Sequence, residues 1–427
     1  MDWQTGQMDG MDLVMMPLQL FGTIETAQGL ANAMLCIDAD RPTEYVIHTY
    51  GSGIDTRAIV THVVEQGETL ELSGTGMLLP SQNGALYYPV PLAEHDLAQL
   101  QAMRATLTRT PSGLVGHWTS LGGTGGAIRL SELKAALHVS EQCADWGAFK
   151  SWTSRVRHEI DATLFRGHGR NQFRLQTTLH RAGRHRLERY CAETLAQFHS
   201  KAEGVLGMRL NMQDGWDYST VLGLAQHHSL PTPLLDWTES PYVAAFFAFA
   251  DALENEGSRP DGESVRIYAL ARHFVENTSP PVVVLPVAEP YAYSLSISGR
   301  LNARLQSQQG HFLVTNVANL ESWLVNIESA VNKPTLRSIE VPARFAREAL
   351  EDLAFMGLSA ATLFPGLDGV CRAIRHSMSF ARSPVPMPGL PADSASLDVS
   401  NQPAAQLSAQ TLEDLEGGDS AGPAAGA

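Results

Sequence analysis

Polar and apolar positions change rhythm several times along the chain. From Glu44 they fall into short strand-like runs, Glu44–Tyr50, Ala58–Glu65, Thr69–Leu79 and Ala85–Tyr88, parted by turn residues such as Gly51-Ser52-Gly53 and Gln82-Asn83-Gly84. A helix is predicted over Glu94–Leu107, and Gly113–Leu130 reads as two more strands joined by Gly122-Gly-Thr-Gly-Gly126. That turn has neither the Lys-Ser/Thr of a phosphate loop nor a Rossmann spacing, so it reads as a flexible hairpin. Residues 1–35, rich in Gly, Met and Gln, show no such pattern and are assigned no firm structure. The expectation is a weakly structured N-terminus followed by a β-rich module over residues 36–130.

Beyond residue 140 the period lengthens. A helix is predicted over Glu141–Ile160 with Ser140 as N-cap and Trp146, Phe149, Trp152 and Val156 on one face, an aromatic stripe read as core. A strand follows at Thr163–His168. Leu187, Tyr190, Cys191, Leu195 and Phe198 mark an amphipathic helix, and another runs from Tyr218 to His228. Ser240–Leu253 reads as a helix with Ser240 as N-cap, Pro241 in the first turn, and Val243, Ala244, Phe247 and Ala248 inward. Strands at Ser264–Ala271, His311–Asn316 and Arg337–Val341 and helices at Ala343–Met356 and Leu367–His376 complete an α+β chain. Its mixed domain spans residues 140–380, with the strand at Thr163–His168 beside Ser264–Ala271. Residues 383–427 are Pro, Ala, Ser and Gly with acids and no apolar period, the composition of a disordered acidic tail.

Composition narrows the class. Of 427 residues, 44% are hydrophobic and 18% charged, as in a soluble globular protein, and no run of about 20 apolar residues predicts a membrane span. The N-terminus has no basic n-region, which with four scattered cysteines points to a cytoplasmic protein with free thiols and no zinc or disulfide framework. The net charge is −15, and six acids beyond residue 383 reduce it to −9 for the body, so bulk attraction to nucleic acid is not expected. Nine arginines between Arg155 and Arg189, against three acids, leave room for a local anion site.

The densest chemistry lies in Leu224-Ala-Gln-His-His-Ser-Leu-Pro-Thr-Pro-Leu-Leu-Asp-Trp-Thr-Glu-Ser-Pro241, just ahead of the apolar helix. Polar groups crowded beside apolar neighbours need partners once buried, so the segment is a candidate site. Arg166, ending a strand before Gly167, is placed to clamp a phosphate or carboxylate, or to bridge to Asp236. His227 and His228 point about 100 degrees apart on a helix and so take separate roles, His227 being the candidate acid or base. Asp236 is either a turn-holding or a catalytic carboxylate. Trp237 reads as a packed wall, and Thr238 with Ser240 opens a helix whose N-terminus favours an anion.

Taken in order, Leu164-Phe-Arg-Gly-His168, Glu188-Arg-Tyr190, Leu224-Ala-Gln-His-His228, Leu230-Pro-Thr232, Leu234-Leu-Asp-Trp-Thr238 with Ser240-Pro241, Gln308-Gln-Gly310 with Phe312, and Met356-Gly357 with Leu363-Phe-Pro-Gly-Leu-Asp-Gly369 resemble the FRG-domain family. The resemblance covers residues 140–380, and it departs at Pro233, where the family pattern implies arginine. It implies no settled activity. Thr238, Ser240 and the helix after them are also similar to the hydroxyl-rich strand and helix of ADP-ribosyltransferases, with Arg166 as the first motif. The third motif of those enzymes is a glutamate, and the matching region Leu305–Phe312 offers only Gln308 and Gln309. Three readings follow. One is an ADP-ribosyltransferase-like domain with NAD as substrate and no tightly bound cofactor. Another is a non-catalytic ligand- or nucleic-acid-binding module. The third is a hydrolase or nuclease using His227 and Asp236. In each, Gly167, Trp237, Thr238, Ser240 and Gln308 are the expected ligand contacts, no metal is involved, and the N-terminal module is free to engage a protein partner.

Overall fold

Strands β1 (Gln19–Thr26), β2 (Gly29–Ile37), β3 (Glu44–Tyr50), β4 (Arg57–Gln66) and β5 (Thr69–Pro80) form an antiparallel meander. After β6 (Leu86–Tyr87) and α1 (Glu94–Ala102), the meander resumes as β7 (Arg104–Thr110), β8 (Gly113–Thr119) and β9 (Gly125–Ser131). β5 pairs with β7 and β9 returns to β1, so eight strands close into a barrel with β6 added to the far end of β5. The computed structural model describes residues 18–380 except 89–90, 134–137, 261, 279–282 and 298–302. The tail predicted from residue 383 lies outside them, as do residues 1–17.

Closure leaves no free edge and gives every strand an inward face, which Leu20, Leu35, Tyr45, Leu70, Leu107 and Leu114 fill. The outer face of β3 to β5 is also buried, through Val46, Ala58, Val60 and Leu78 against Ala288 of the following domain. Two expectations change here. Part of the stretch given no structure is β1 and β2, whose inward Ala31 and Ala33 dilute the hydrophobic signal. The helix from Glu94 stops at Ala102, because Met103 is extended and the buried Ala105 and Leu107 alternate with threonines in β7.

The second sheet runs β10 (Glu141–Gln142), β16 (Leu336–Pro342), β13 (Ser264–Ala271), β11 (Ala162–His168), β12 (Leu234–Thr238), β15 (Gly310–Thr315), β14 (Ala292–Leu295), antiparallel throughout except at β10–β16. The chain is thus a mixed α/β protein, and the strand carrying Phe-Arg-Gly does lie beside Ser264–Ala271. The helices are, in chain order, α2 (Trp146–Glu159), α3 (Thr178–Arg181), α4 (Leu187–Arg189), α5 (Ala196–Leu206), α6 (Gly215–His227), α7 (Pro241–Glu254), α8 (Arg272–Asn277), α9 (Ala303–Ser307), α10 (Leu320–Val331), α11 (Ala346–Phe355), α12 (Ala360–Leu363) and α13 (Leu367–Phe380). One face of the sheet packs under α2, α7 and α11, and the other under α8 and α10.

The stripe on α2 is core as expected: Trp146, Phe149, Trp152 and Val156 are all fully buried. Its cap differs. Asp145 accepts from the Ala148 amide at 2.8 Å, while Ser140 bonds Ser338 at 2.5 Å, because Glu141 and Gln142 form a short bridge to β16 first. α7 begins as predicted, with Ser240 as cap and Pro241 in the first turn.

The barrel and the second sheet belong to one compact unit, joined by buried ions. Asp38, after β2, accepts the His185 and Arg186 amides at 2.7 and 3.0 Å and the Arg189 guanidinium at 2.9 Å. Arg186 also pairs with Glu188 at 2.7 Å and with Glu44. Gln19 spans to the Asn316 carbonyl and the Ala318 amide at 2.7 and 2.8 Å. Three of the nine arginines in the stretch read as an anion site, Arg184, Arg186 and Arg189, are therefore spent on the barrel, Arg184 through Asp40 at 3.0 Å.

Candidate functional site

β11 pairs along its length with β13 but touches β12 at one ladder position, Phe165 with Thr238. Beyond it the two central strands part. The Asp236 carbonyl facing this gap has no strand partner there, and the Arg166 guanidinium takes it through Nη1, 3.9 Å from the Asp236 carboxylate. Arg166 Nε donates to His168 Nε2 at 3.0 Å, and His168 Nδ1 lies 3.2 Å from the Phe173 carbonyl. Those partners assign the proton to Nδ1 of a neutral ring. Burial, with the Arg166 charge beside it, pushes the His168 pKa down to about 3. Burial also lowers the Arg166 pKa, which the Asp236 charge opposes, yet a guanidinium stays ionised at neutral pH. Nη2 of Arg166 has no hydrogen-bond acceptor among the described residues.

A cavity of about 350 Å³ opens at this parting of strands. Gln226, in the last turn of α6, reaches Asp236 Oδ2 at 2.8 Å and accepts from the Thr232 hydroxyl, so it fixes the carboxylate against the incoming loop. His227 lines the cavity half-buried, while His228 faces solvent with its ring edge-on at 4.9 Å, in keeping with separate roles. Desolvation, then His228 and Arg304, lower the His227 pKa, so it is neutral at pH 7. Arg304 of α9 lies across the Phe364 ring at 5.7 Å and has no ion-pair partner among the described residues. Among the described lining residues two guanidiniums thus share the space with a single carboxylate, Asp236, whose side chain is 60% exposed. Phe247, Phe312 and Phe364 supply apolar wall.

The cavity gathers Arg166, Gly167, His227, Asp236, Trp237, Thr238 and Gln308, and leaves Ser240 outside its lining. Several of these are already engaged. Thr238 donates to the Gln308 carbonyl at 2.8 Å and accepts from the Ser240 amide at 3.2 Å, and the Ser240 hydroxyl caps α7 through the Val243 amide at 3.3 Å. The hydroxyl pair expected to greet an anion is used inside the protein. Gln308 donates to the Leu363 carbonyl at 3.1 Å, and Trp237 is buried in the core of the opposite layer. The region Leu305–Phe312, matched to the third motif, is the end of α9, a turn with Gln309 at φ 48, and then the start of β15, the strand expected at His311–Asn316. Gln226, Arg304, Phe247, His311 and Phe364 went unsingled in the sequence. Gln226 sits inside the Leu224–His228 motif, immediately before the two histidines. Arg304 gives no local signal at all.

A mixed α/β domain with an arginine-lined cleft between parted strands is thus in place. Residues 161–257 match the family model of the FRG domain, so the chain carries an FRG domain, reaching from the start of β11 past the end of α7. No curated protein and no solved structure matches the chain. Among the described residues, no cluster of His, Cys, Asp and Glu is placed to hold a metal ion, and no helix is long and apolar enough to cross a membrane.

Proposed function

We propose that the cleft binds a small phosphate-bearing, nucleotide-type ligand, with NAD as the first candidate. The observation that carries this reading is the pair of guanidiniums, Arg166 with its spare Nη2 and Arg304 with no ion-pair partner among the described residues, facing one aromatic-walled space of about 350 Å³. Guanidinium forks bind phosphate oxygens in pairs, phenyl rings pack flat against a base, and the volume lies within the range of small-molecule sites. Calorimetry of the full-length protein with NAD and with ADP tests it. The expected result is saturable binding, weakened at least about tenfold by Arg166→Ala or Arg304→Ala, the loss of one charge-assisted contact. Arg166→Lys, which keeps the charge and loses the fork, should fall between. Flat titrations with both ligands sink the proposal.

One observation favours chemistry as well as binding. Among the described residues lining the cleft Asp236 is the sole carboxylate, is open to it, and is steadied by Gln226. In glycosyl-bond cleavage it is the group able to stabilise a developing oxocarbenium ion, in place of the glutamate of ADP-ribosyltransferases. Nicotinamide release from NAD is the readout. Asp236→Asn keeps the backbone carbonyl that holds Arg166, so it should bind NAD and release nothing. Wild-type binding without release would leave a ligand-binding module.

A further inference from the structure

The barrel is filled at one end and hollow at the other. Under α1 a cavity of about 400 Å³ reaches into the interior, walled by Ile24, Ile47, Ile59, Met77, Ala105 and Ile128 from six different strands. An eight-stranded barrel is just wide enough for its own side chains to fill, as Leu35, Tyr45, Leu70 and Leu107 do in the other half. Here two inward positions, Ala105 and Thr61, are short, and Leu100 and Met103 of the α1 segment cover the top through Ile59 and Met77. The space would hold roughly a dozen waters at ~30 Å³ each, most of them facing carbon and short of hydrogen-bond partners.

The rim settles the charge of what would replace them. Arg57 is the one Lys or Arg among the lining residues, and it is paired with Asp55 at 3.3 Å. The same carboxylate takes the Gln28 amide at 2.5 Å, and Gln28 accepts the Asp55 amide in return at 2.8 Å. Thr26 and Thr61 donate to the Gly29 and Tyr45 carbonyls. Asp96 adds a second negative charge at the mouth. Among the described lining residues the one guanidinium is thus matched by a carboxylate, and most of the wall is apolar.

We propose that the barrel is a second binding site, separate from the FRG cleft, for an uncharged hydrophobic small molecule that enters between α1 and the Gln28–Asp55 rim. The test uses the full-length protein and the neutral fluorophore N-phenylnaphthylamine, with dodecanol and laurate as competitors of matched chain length and different charge. Expected are one saturable site per chain, displacement by dodecanol at least about tenfold better than by laurate, and loss of affinity of at least about tenfold in Thr49→Trp and Ala105→Phe. Both variants fill the cavity. Thr49 is only half-buried at the mouth, so its variant decides the matter if Ala105→Phe fails to fold, and far-ultraviolet circular dichroism identifies that case. Absence of saturable binding to the wild type, unchanged binding by folded Thr49→Trp, or laurate matching dodecanol would each overturn the proposal.

Discussion

A Cβ added at Gly167 would sit 1.9 Å from the Ala244 carbonyl oxygen and 3.0 Å from the Ala248 methyl. The glycine of Phe-Arg-Gly is therefore needed first for the close approach of α7 to β11, and only indirectly for a ligand. Backbone atoms cannot step aside as a flexible side chain does, so Gly167→Ala should lower stability by about 1–3 kcal/mol, the range for overpacking. Urea unfolding reads it, and an unchanged midpoint would show that the strand and helix tolerate a wider spacing. Arg166, one residue earlier, is held differently. Its grip on the Asp236 carbonyl and on His168 sets the direction of the fork before any ligand arrives.

At the scale of elements, the N-terminus of α7 shows how a site motif divides between structure and function. Ser240 satisfies a helix amide and stands outside the cavity lining, so Ser240→Ala should cost about 1 kcal/mol of stability and leave NAD affinity unchanged. Parallel melting and calorimetry check both halves of that statement. This helix was legible in the sequence because cap, proline and apolar face all agree. So were β3 and β13, where dense apolar runs end at clear turns. β1, β2 and β7 were not, because alanine and threonine carry too little hydrophobic contrast to announce a period that only the closed barrel enforces. The cleft was half legible. Arg166, His227 and Asp236 do converge on one space, but pairing across 70 residues decides that, Arg304 arrives from a segment with no motif around it, and Phe364 lies in a motif whose spacing does not reveal which wall it joins.

For the whole molecule, burial of neutral histidines predicts acid sensitivity. Burial pushes His48 and His185 down to about 4 and His168 to about 3, against 6.5 for a free ring. The unfolded chain therefore takes up protons below about pH 6.5 that the folded chain refuses. Stability is fully present above that value and is lost as the pH falls toward 4, by up to about 1.4 kcal/mol per pH unit for each such histidine. Urea midpoints between pH 7.5 and 4.5 should fall steadily, and a level profile down to pH 5 would contradict the burial. A second expectation concerns boundaries. The matched segment 161–257 contains β11 and β12, which meet at one position, while their main partners β13 and β15 lie beyond it. Expressed alone it should show no cooperative melt, whereas residues 18–380 should melt as one unit. The ion cluster at the barrel bears on synthesis as well. The barrel can close once residue 131 has left the ribosome, but Asp38 then waits unpaired until Arg189 follows, and the apolar outer face of β3 to β5 waits longer, for Ala288. During that interval the nascent chain exposes a sticky flank beside an open acidic socket, a natural resting place for a chaperone.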